Sequence, residues 1–256
     1  MIEIGLQTFT IRKAQKKDIK EAYLPLIKLG IRSFEVSRMD LTEENALALR
    51  ELREQYGAEI VSLQIKPKKV FGHFREVVDF AHKVGCKSVV ISQLPFSCVL
   101  GREEKFYEFI STLDAWYDRY AKEGITLAYH HHHWEYVTLS NGKTRMAELL
   151  SRTEKIKLVH DTYWSAKCGI DPLLQMREIG ERLLGVHLRD LTLRKRGLDV
   201  VSVNCPIGEG VIDFSRVLDE IASLRTPYAV IEQKSADPYS DIKESLSHLK
   251  SLTEQR

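Results

Sequence analysis

Phe74-Arg-Glu-Val-Val-Asp-Phe-Ala-His-Lys-Val-Gly-Cys-Lys-Ser-Val-Val-Ile-Ser92 contains a helix, a turn and a strand in immediate succession. Phe74, Val77, Val78 and Ala81 fall at i, i+3, i+4 and i+7, the spacing of one buried helix face. Gly85 stands where that helix must stop and the chain turn back. Ser88 to Ser92 then supplies a short, β-prone apolar run.

The same unit recurs in both directions. β-prone runs stand at Ile2 to Gln7, Ser33 to Val36, Ile60 to Gln64, Ser88 to Ser92, Thr126 to His130, Ile156 to Asp161, Leu184 to Leu188 and Tyr228 to Glu232. The shortest step between starts, Ser33 to Ile60, is 27 residues, enough for a strand, a loop, a helix and a return. Further helices are expected at Leu41 to Tyr56 and Glu103 to Lys122, with stops at Gly30, Gly57, Gly85, Gly124 and Gly180. Asp40 with Glu43 fits a capping box, and Asp171 followed by Pro172 fits an N-cap with proline at the first helical position. Eight strands alternating with helices, without a glycine-rich phosphate fingerprint, predict an α/β fold of the closed (β/α)8 TIM barrel type, formed by residues 1–256 as a single domain. The two longest steps predict insertions at Leu94 to Gly101 and Arg194 to Gly210. Both follow strand C-terminal ends, where barrels build sites and lids.

Composition narrows the function. The 256 residues carry a net charge of +2 with both signs interspersed, which argues against a nucleic-acid binder or a membrane-surface protein. Cys86, Cys98, Cys168 and Cys205 form no CxxC pair, and the opening Met1-Ile2-Glu3 has no basic, apolar signal pattern; a reducing cytoplasm is expected. No apolar run approaches the roughly 20 residues of a membrane helix. The sequence sets no subunit number, and a homo-oligomer is compatible with it.

Four consecutive histidines, His130 to His133, end the fifth run. A strand sends alternate side chains to opposite faces, so His130 and His132 share one face and His131 and His133 the other. A cloning tag or a solvated loop is the competing account, and continuity with a strand argues against the tag. Neighbouring runs end in Asp161, in His187 with Arg189 and Asp190, and in Glu232 with Gln233. A barrel rim brings such strand ends within reach of one ion. Singly, each is more often a hydrogen-bonded structural residue; together at matching positions they point to a site.

These residues lie in motifs that resemble a known group. Leu127-Ala-Tyr-His-His-His-His-Trp-Glu-Tyr136, Asp161-Thr-Tyr-Trp164 with Gly169-Ile-Asp-Pro172, Val186-His-Leu-Arg-Asp190, Ile207-Gly-Glu-Gly210 and Val230-Ile-Glu-Gln233 are similar to the sugar phosphate isomerase/epimerase group of the xylose isomerase-like TIM barrels. Ile4-Gly-Leu-Gln-Thr-Phe-Thr-Ile-Arg12 and Phe34-Glu-Val36 resemble it too. The resemblance implies a divalent metal at the barrel mouth and polyol, keto-sugar or cyclitol substrates. It also implies that Asp161, His187 and Glu232 are metal ligands. Many relatives place glutamate at the end of strand five, followed by asparagine and histidine, where this chain has His130-His131-His132. A branch with tyrosine-histidine-asparagine-histidine is nearer, which makes His130 the fourth ligand and His132 the runner-up. The mixed nitrogen and oxygen set suits manganese first and zinc second, with iron or cobalt also compatible, better than magnesium.

Such an ion polarises a ketone and its neighbouring hydroxyl and stabilises an enediolate, the step shared by isomerisation, epimerisation and loss of water. Glu232, His132 and Glu135 are the candidate proton-transfer residues, with a surface role as the alternative for Glu135. Trp164 offers an apolar platform for a sugar face or packs into the barrel top. Arg189 binds a substrate oxygen or carboxylate or pairs with Asp190, itself a substrate-binding candidate. Lys66, Lys68 and Lys69 read as a solvated basic loop rather than a phosphate site. A metal-dependent isomerase or epimerase with a small carbohydrate substrate leads. Behind it stand a lyase dehydrating a keto-inositol or keto-glycoside, an abasic-site endonuclease and a non-catalytic sugar-binding barrel.

Overall fold

A computed structural model describes residues 3–254 of the chain. Among them, eight parallel strands close into a barrel: β1 (Ile4–Gln7), β2 (Ser33–Ser37), β3 (Glu59–Ile65), β4 (Ser88–Ile91), β5 (Thr126–His130), β6 (Lys157–Asp161), β7 (Leu183–Leu188) and β10 (Tyr228–Ile231). β1 closes the ring by pairing with both β10 and β2. Each of the eight expected runs is a strand, displaced by a residue or two at its ends; Ile2 lies outside the described residues.

Helices cover the outside. The helix Phe74–Val84 buries Phe74, Val77, Val78, Phe80, Ala81 and Val84 and ends at Gly85, whose φ of +70° suits glycine. The helix Glu103–Ala121 matches its expected span. Asp171 caps the helix Pro172–Ile179, its side chain accepting from Leu173 N at 2.8 Å. The expected cap at Asp40 is corrected: Leu41 and Thr42 stay outside the helix Glu43–Tyr56, so Thr42 is the residue whose oxygen accepts from Asn45 N at 3.2 Å.

The two insertions also take defined forms. Leu94 to Gly101 contains a short helix, Phe96–Leu100. The longer one is a β-hairpin that begins earlier than expected, with β8 (Asp190–Arg196) pairing antiparallel to β9 (Asp199–Cys205). Gly197 at its tip, with φ +65°, permits the reversal.

Two apolar layers hold the barrel. The larger lies between strands and helices, and a smaller one groups Val90, Ala128, Val159, Tyr228 and Val230. Ala128, Val159 and Val230 each stand two residues before His130, Asp161 and Glu232, so strand alternation sets the polar residues one layer above this apolar floor. Gly185 stands likewise two before His187. A Cβ on Gly185 would lie 2.3 Å from Cζ of the buried Tyr228 ring, so only glycine leaves that ring its place. Gly185→Ala is therefore expected to destabilise the protein by about 1–3 kcal/mol through overpacking. Chemical denaturation measures it, and an unchanged midpoint would mean that the ring moves aside without cost.

Candidate metal centre and cavity

His130, Asp161, His187 and Glu232 meet at the C-terminal ends of β5, β6, β7 and β10. One ligand-competent atom from each lies within 4.8 Å of all the others, and all four residues are buried. Atoms bound to a common ion at about 2.0–2.2 Å are at most about 4.4 Å apart, so a contraction of a few tenths of an ångström would make this a coordination shell. His130 Nδ1 and Asp161 Oδ2 are buried without a hydrogen-bond partner, and His187 Nδ1 and Glu232 Oε2 are buried facing each other at 2.8 Å. Orphaned polar atoms at such a depth are costly, and one cation shared among them would remove the penalty. The donor set fits a divalent metal.

The groups behind these residues aim them. His187 Nε2 bonds Glu35 Oε1 at 2.7 Å, which leaves Nδ1 facing the cluster, 2.8 Å from Glu232 Oε2. Glu35 is held in turn by Ser62 Oγ at 2.6 Å and the Tyr228 hydroxyl at 2.8 Å. Asp161 divides its carboxylate: Oδ1 accepts from Trp164 N at 3.1 Å and caps the helix Thr162–Lys167, while Oδ2 points to the cluster. Arg189 Nη1 donates to Glu232 Oε1 at 3.2 Å and lies 3.6 Å from Asp161 Oδ2.

Electrostatics follow from this packing. Burial, reinforced by the neighbouring imidazoles, keeps the His130 pKa well below the usual range, so its ring is neutral. Burial also lowers His132, to about 3. For His187 burial acts downward too, but Glu35 and Glu232 outweigh it and raise the pKa to about 10. Burial raises Asp161 against the pull of Arg189. For Glu232 the same burial is outweighed by Arg189 and His187, which hold the carboxyl low.

Above the cluster opens a cavity of about 810 Å³, of a size that takes a small molecule. His130, His132, Trp164, Arg189 and Glu232 stand on its wall, as do Gln7, Gln64 and Ser92. His132 packs between Trp134 and Trp164, with ring centroids at 5.5 and 5.2 Å. It lies outside the four-residue cluster. His131 points away from it and bonds His160, and its Nε2 accepts from Asp161 N at 3.0 Å.

Of the residues read from sequence, Asp161 and His187 lie in the cluster beneath the cavity wall, and Glu135 and Asp190 stand apart from both. Glu135 is fully buried and accepts from the Tyr129 hydroxyl and from His132 N at 2.8 Å. Asp190 spends its carboxylate on backbone N–H groups: Gly208 and Gly210 donate to Oδ2, both at 3.0 Å, and Leu191 to Oδ1 at 2.8 Å. Sequence reading missed the supporting part of Glu35, although a glutamate between Phe34 and Val36 within a strand is a buried charge in need of partners. It also missed Asn204, whose Oδ1 holds the Arg189 guanidinium at 2.6 and 3.1 Å.

Residues 26–252 match the family model described as the xylose isomerase-like TIM barrel. Among solved structures, a sugar phosphate isomerase/epimerase from Parabacteroides distasonis is 16% identical with a TM-score of 0.80, over 98% of each chain. The 3-keto-D-glucoside 4-epimerase YcjR from E. coli, in its apo form, is also 16% identical, with a TM-score of 0.71 over 98% of this chain and 100% of the other. The probable 3-DHS dehydratase AsbF from Bacillus anthracis is 12% identical, with a TM-score of 0.73 over 97% and 99%. At these identities the likeness is one of fold. No curated protein matches the sequence.

Tag-free protein is expected to hold about one divalent ion per chain by elemental analysis. His130→Ala and Asp161→Asn should each lose most of it, and Glu35→Gln should weaken retention about 10–100-fold by freeing the His187 ring. Full retention in both ligand variants, or loss in His132→Ala with retention in His130→Ala, would overturn the ligand assignment.

Proposed function

The chain belongs to the xylose isomerase-like TIM barrel family, and from that premise we propose that it is a divalent-metal-dependent isomerase or epimerase acting on a keto-sugar, sugar phosphate or cyclitol. The observation that supports this best is the convergence of buried ligand atoms on His130, Asp161, His187 and Glu232 under a cavity of sugar size. Two imidazole nitrogens and two carboxylate oxygens, with no third acidic ligand, favour manganese, then zinc, with iron or cobalt behind. When bound, the ion would polarise a ketone and its adjacent hydroxyl and stabilise the charge left as the α-proton departs.

The chain's own residues divide the remaining work. Glu232 is the proposed base: Arg189 keeps it ionised by donating to Oε1, and the residue stands on the cavity wall, where its carboxylate would meet the α-carbon's proton. His132, neutral and with Nδ1 unpartnered, is the second proton carrier. Trp164 offers its indole face to the C–H side of a sugar, and Arg189 reaches a substrate oxygen on the wall it lines. Glu135 and Asp190 receive positioning roles instead of direct contact: Glu135 pins the His132 backbone, and Asp190 fixes the turn after β9. We take residues 1–256 as one barrel domain. The unpaired cysteines among the described residues support a reducing cytoplasm, and no described helix is long and apolar enough to cross a membrane.

One observation favours a lyase as the second reading. Among the described residues, Glu232 is the only carboxylate on the cavity wall. Epimerisation requires proton carriers on two faces of the substrate, whereas loss of water from a keto-inositol or keto-glycoside requires one base and an acid beside the leaving hydroxyl. Incubation of keto-sugars with metal-loaded protein in heavy water is expected to place deuterium beside the carbonyl, and Glu232→Gln should abolish it. A dehydrated product would decide for the lyase, and no incorporation across a broad panel would overturn both readings.

A further inference from the structure

We propose that Arg12 and Arg38 form an anion subsite across the cavity from the metal cluster, so that the substrate is an acidic keto-sugar bearing a phosphate or carboxylate. This rests on the keto-sugar reading above and adds a charge to it. The cavity wall carries Arg12, Arg38, Lys167, Arg189 and Lys234 against Glu232 as its one described carboxylate. With a net charge of only +2 over the whole chain, composition alone does not produce so one-signed a wall. Arg189 is occupied by Glu232 and Asn204, and Lys167 lies 5.0 Å from the Trp164 ring centroid. Arg12 and Arg38, by contrast, have no carboxylate within 4.0 Å among the described residues, whereas elsewhere on the surface Lys69, Arg75 and Lys155 do.

The two arginines are gathered onto one ring. The guanidinium carbon of Arg12 lies 4.0 Å from the Phe9 centroid and that of Arg38 5.6 Å. Arg12 Nη1 also donates to Phe9 O at 2.8 Å, which fixes the direction of its fork. Both cations thus stay within 5.6 Å of one ring centroid on the cavity wall, where an anion would be attracted by both. Arg38 is also held at φ +58°, the left-handed region that a residue with a side chain enters only under strain. It is the first residue after β2, so the strain sets an arginine at the rim where glycine would relieve it.

Placement completes the case. Phe9 and Arg12 follow β1 and Arg38 follows β2, which in the closed ring lie opposite β5 and β6, so the subsite faces the His130 and Asp161 side of the cluster, while Glu232 follows β10, the neighbour of β1. One cavity reaches both sides. Between them Gln64, Ser92 and Gln93 supply neutral polar groups suited to hydroxyls, with Gln7 Nε2 donating to Gln64 Oε1 at 2.9 Å. The wall thus runs from carbonyl-binding cluster through hydroxyl partners to paired cations, the order of groups along an acidic keto-sugar.

Isothermal titration of the full-length protein as purified, with D-fructose, D-fructose 6-phosphate and 5-keto-D-gluconate, tests this. At least one acidic sugar is expected to bind about tenfold or more tighter than D-fructose, with the advantage shrinking as salt is added. Which acid gains distinguishes phosphate from carboxylate. Arg12→Gln and Arg38→Gln should each remove about tenfold of affinity for that acid, and the double variant should bring it to the D-fructose level while metal content is unchanged. Arg38→Gly relieves the backbone, so it should keep or raise the thermal midpoint yet lose the same affinity, which separates binding from folding. Acidic sugars that bind no tighter than D-fructose, that fail to bind, or that keep their advantage in the double variant would overturn the subsite. Failure of the metal-dependent reading would show instead as absent metal.

Discussion

His187 is clamped between two carboxylates inside the barrel, and the rest of the site is arranged around that clamp. Its Nε2 meets Glu35, where both side chains are fully buried, and its Nδ1 faces Glu232, which is buried except at the cavity wall. Removing one partner from such a buried pair costs about 3–5 kcal/mol. A solvated pair such as Arg50 with Glu54, 3.6 Å apart, contributes about 0.3–0.5. The barrel axis is therefore where electrostatics constrain the sequence. Glu35 needs Ser62 and Tyr228 to satisfy its second oxygen, Tyr228 needs a glycine beneath its ring, and β7 supplies Gly185 two residues before the histidine it serves.

The rim applies the same logic to Arg189. A guanidinium at the mouth would swing toward any carboxylate, but Asn204 of β9 holds two of its nitrogens, and the Tyr163 and Trp164 rings pack at 4.4 and 5.2 Å. The hairpin β8–β9 is thus part of the site's frame. Asp190 fixes the chain where β9 returns to the barrel, by collecting N–H groups from Gly208 and Gly210. A Cβ on Gly210 would lie 2.1 Å from Asp190 Oδ1, which explains why the segment Ile207 to Gly210 carries glycine there.

Local pattern reveals the eight strands, the helix stops and a set of strand-end candidates that includes the four cluster residues, because each depends on periodicity or on position at a strand end, while the choice of those four among them rests on the family resemblance. The hairpin was not legible as such: Arg194, Lys195 and Arg196 look like solvated loop, and their pairing with Asp199 to Val201 depends on a two-residue turn at Gly197. The cap at Thr42 was hidden by an equally capable aspartate two residues earlier. Glu35 and Asn204 were missed for a different reason. Their partners are 152 and 15 residues away in sequence, and no local rule joins a charged residue inside a strand to a histidine on the far side of the barrel.

The histidine run shows how far alternation reaches. His130 is the last residue of β5 and faces the axis; His131 faces outward and meets His160, the corresponding outward residue of β6. Because Asp161 donates its N–H to His131 Nε2, that nitrogen is an acceptor and the ring's proton sits on Nδ1. The outward histidine therefore still acts on the site, by bonding the backbone of a cluster residue. Beyond the strand, Glu135 takes His132 N and turns the chain so that His132 faces the cavity again. Asp161, Glu232 and Glu35 place three carboxylates around His187, and Arg189 sets one guanidinium beside them. A dication held there with His187 neutral would bring the local charge to balance, so negative charge developing on a substrate would be met by the ion and by Arg189.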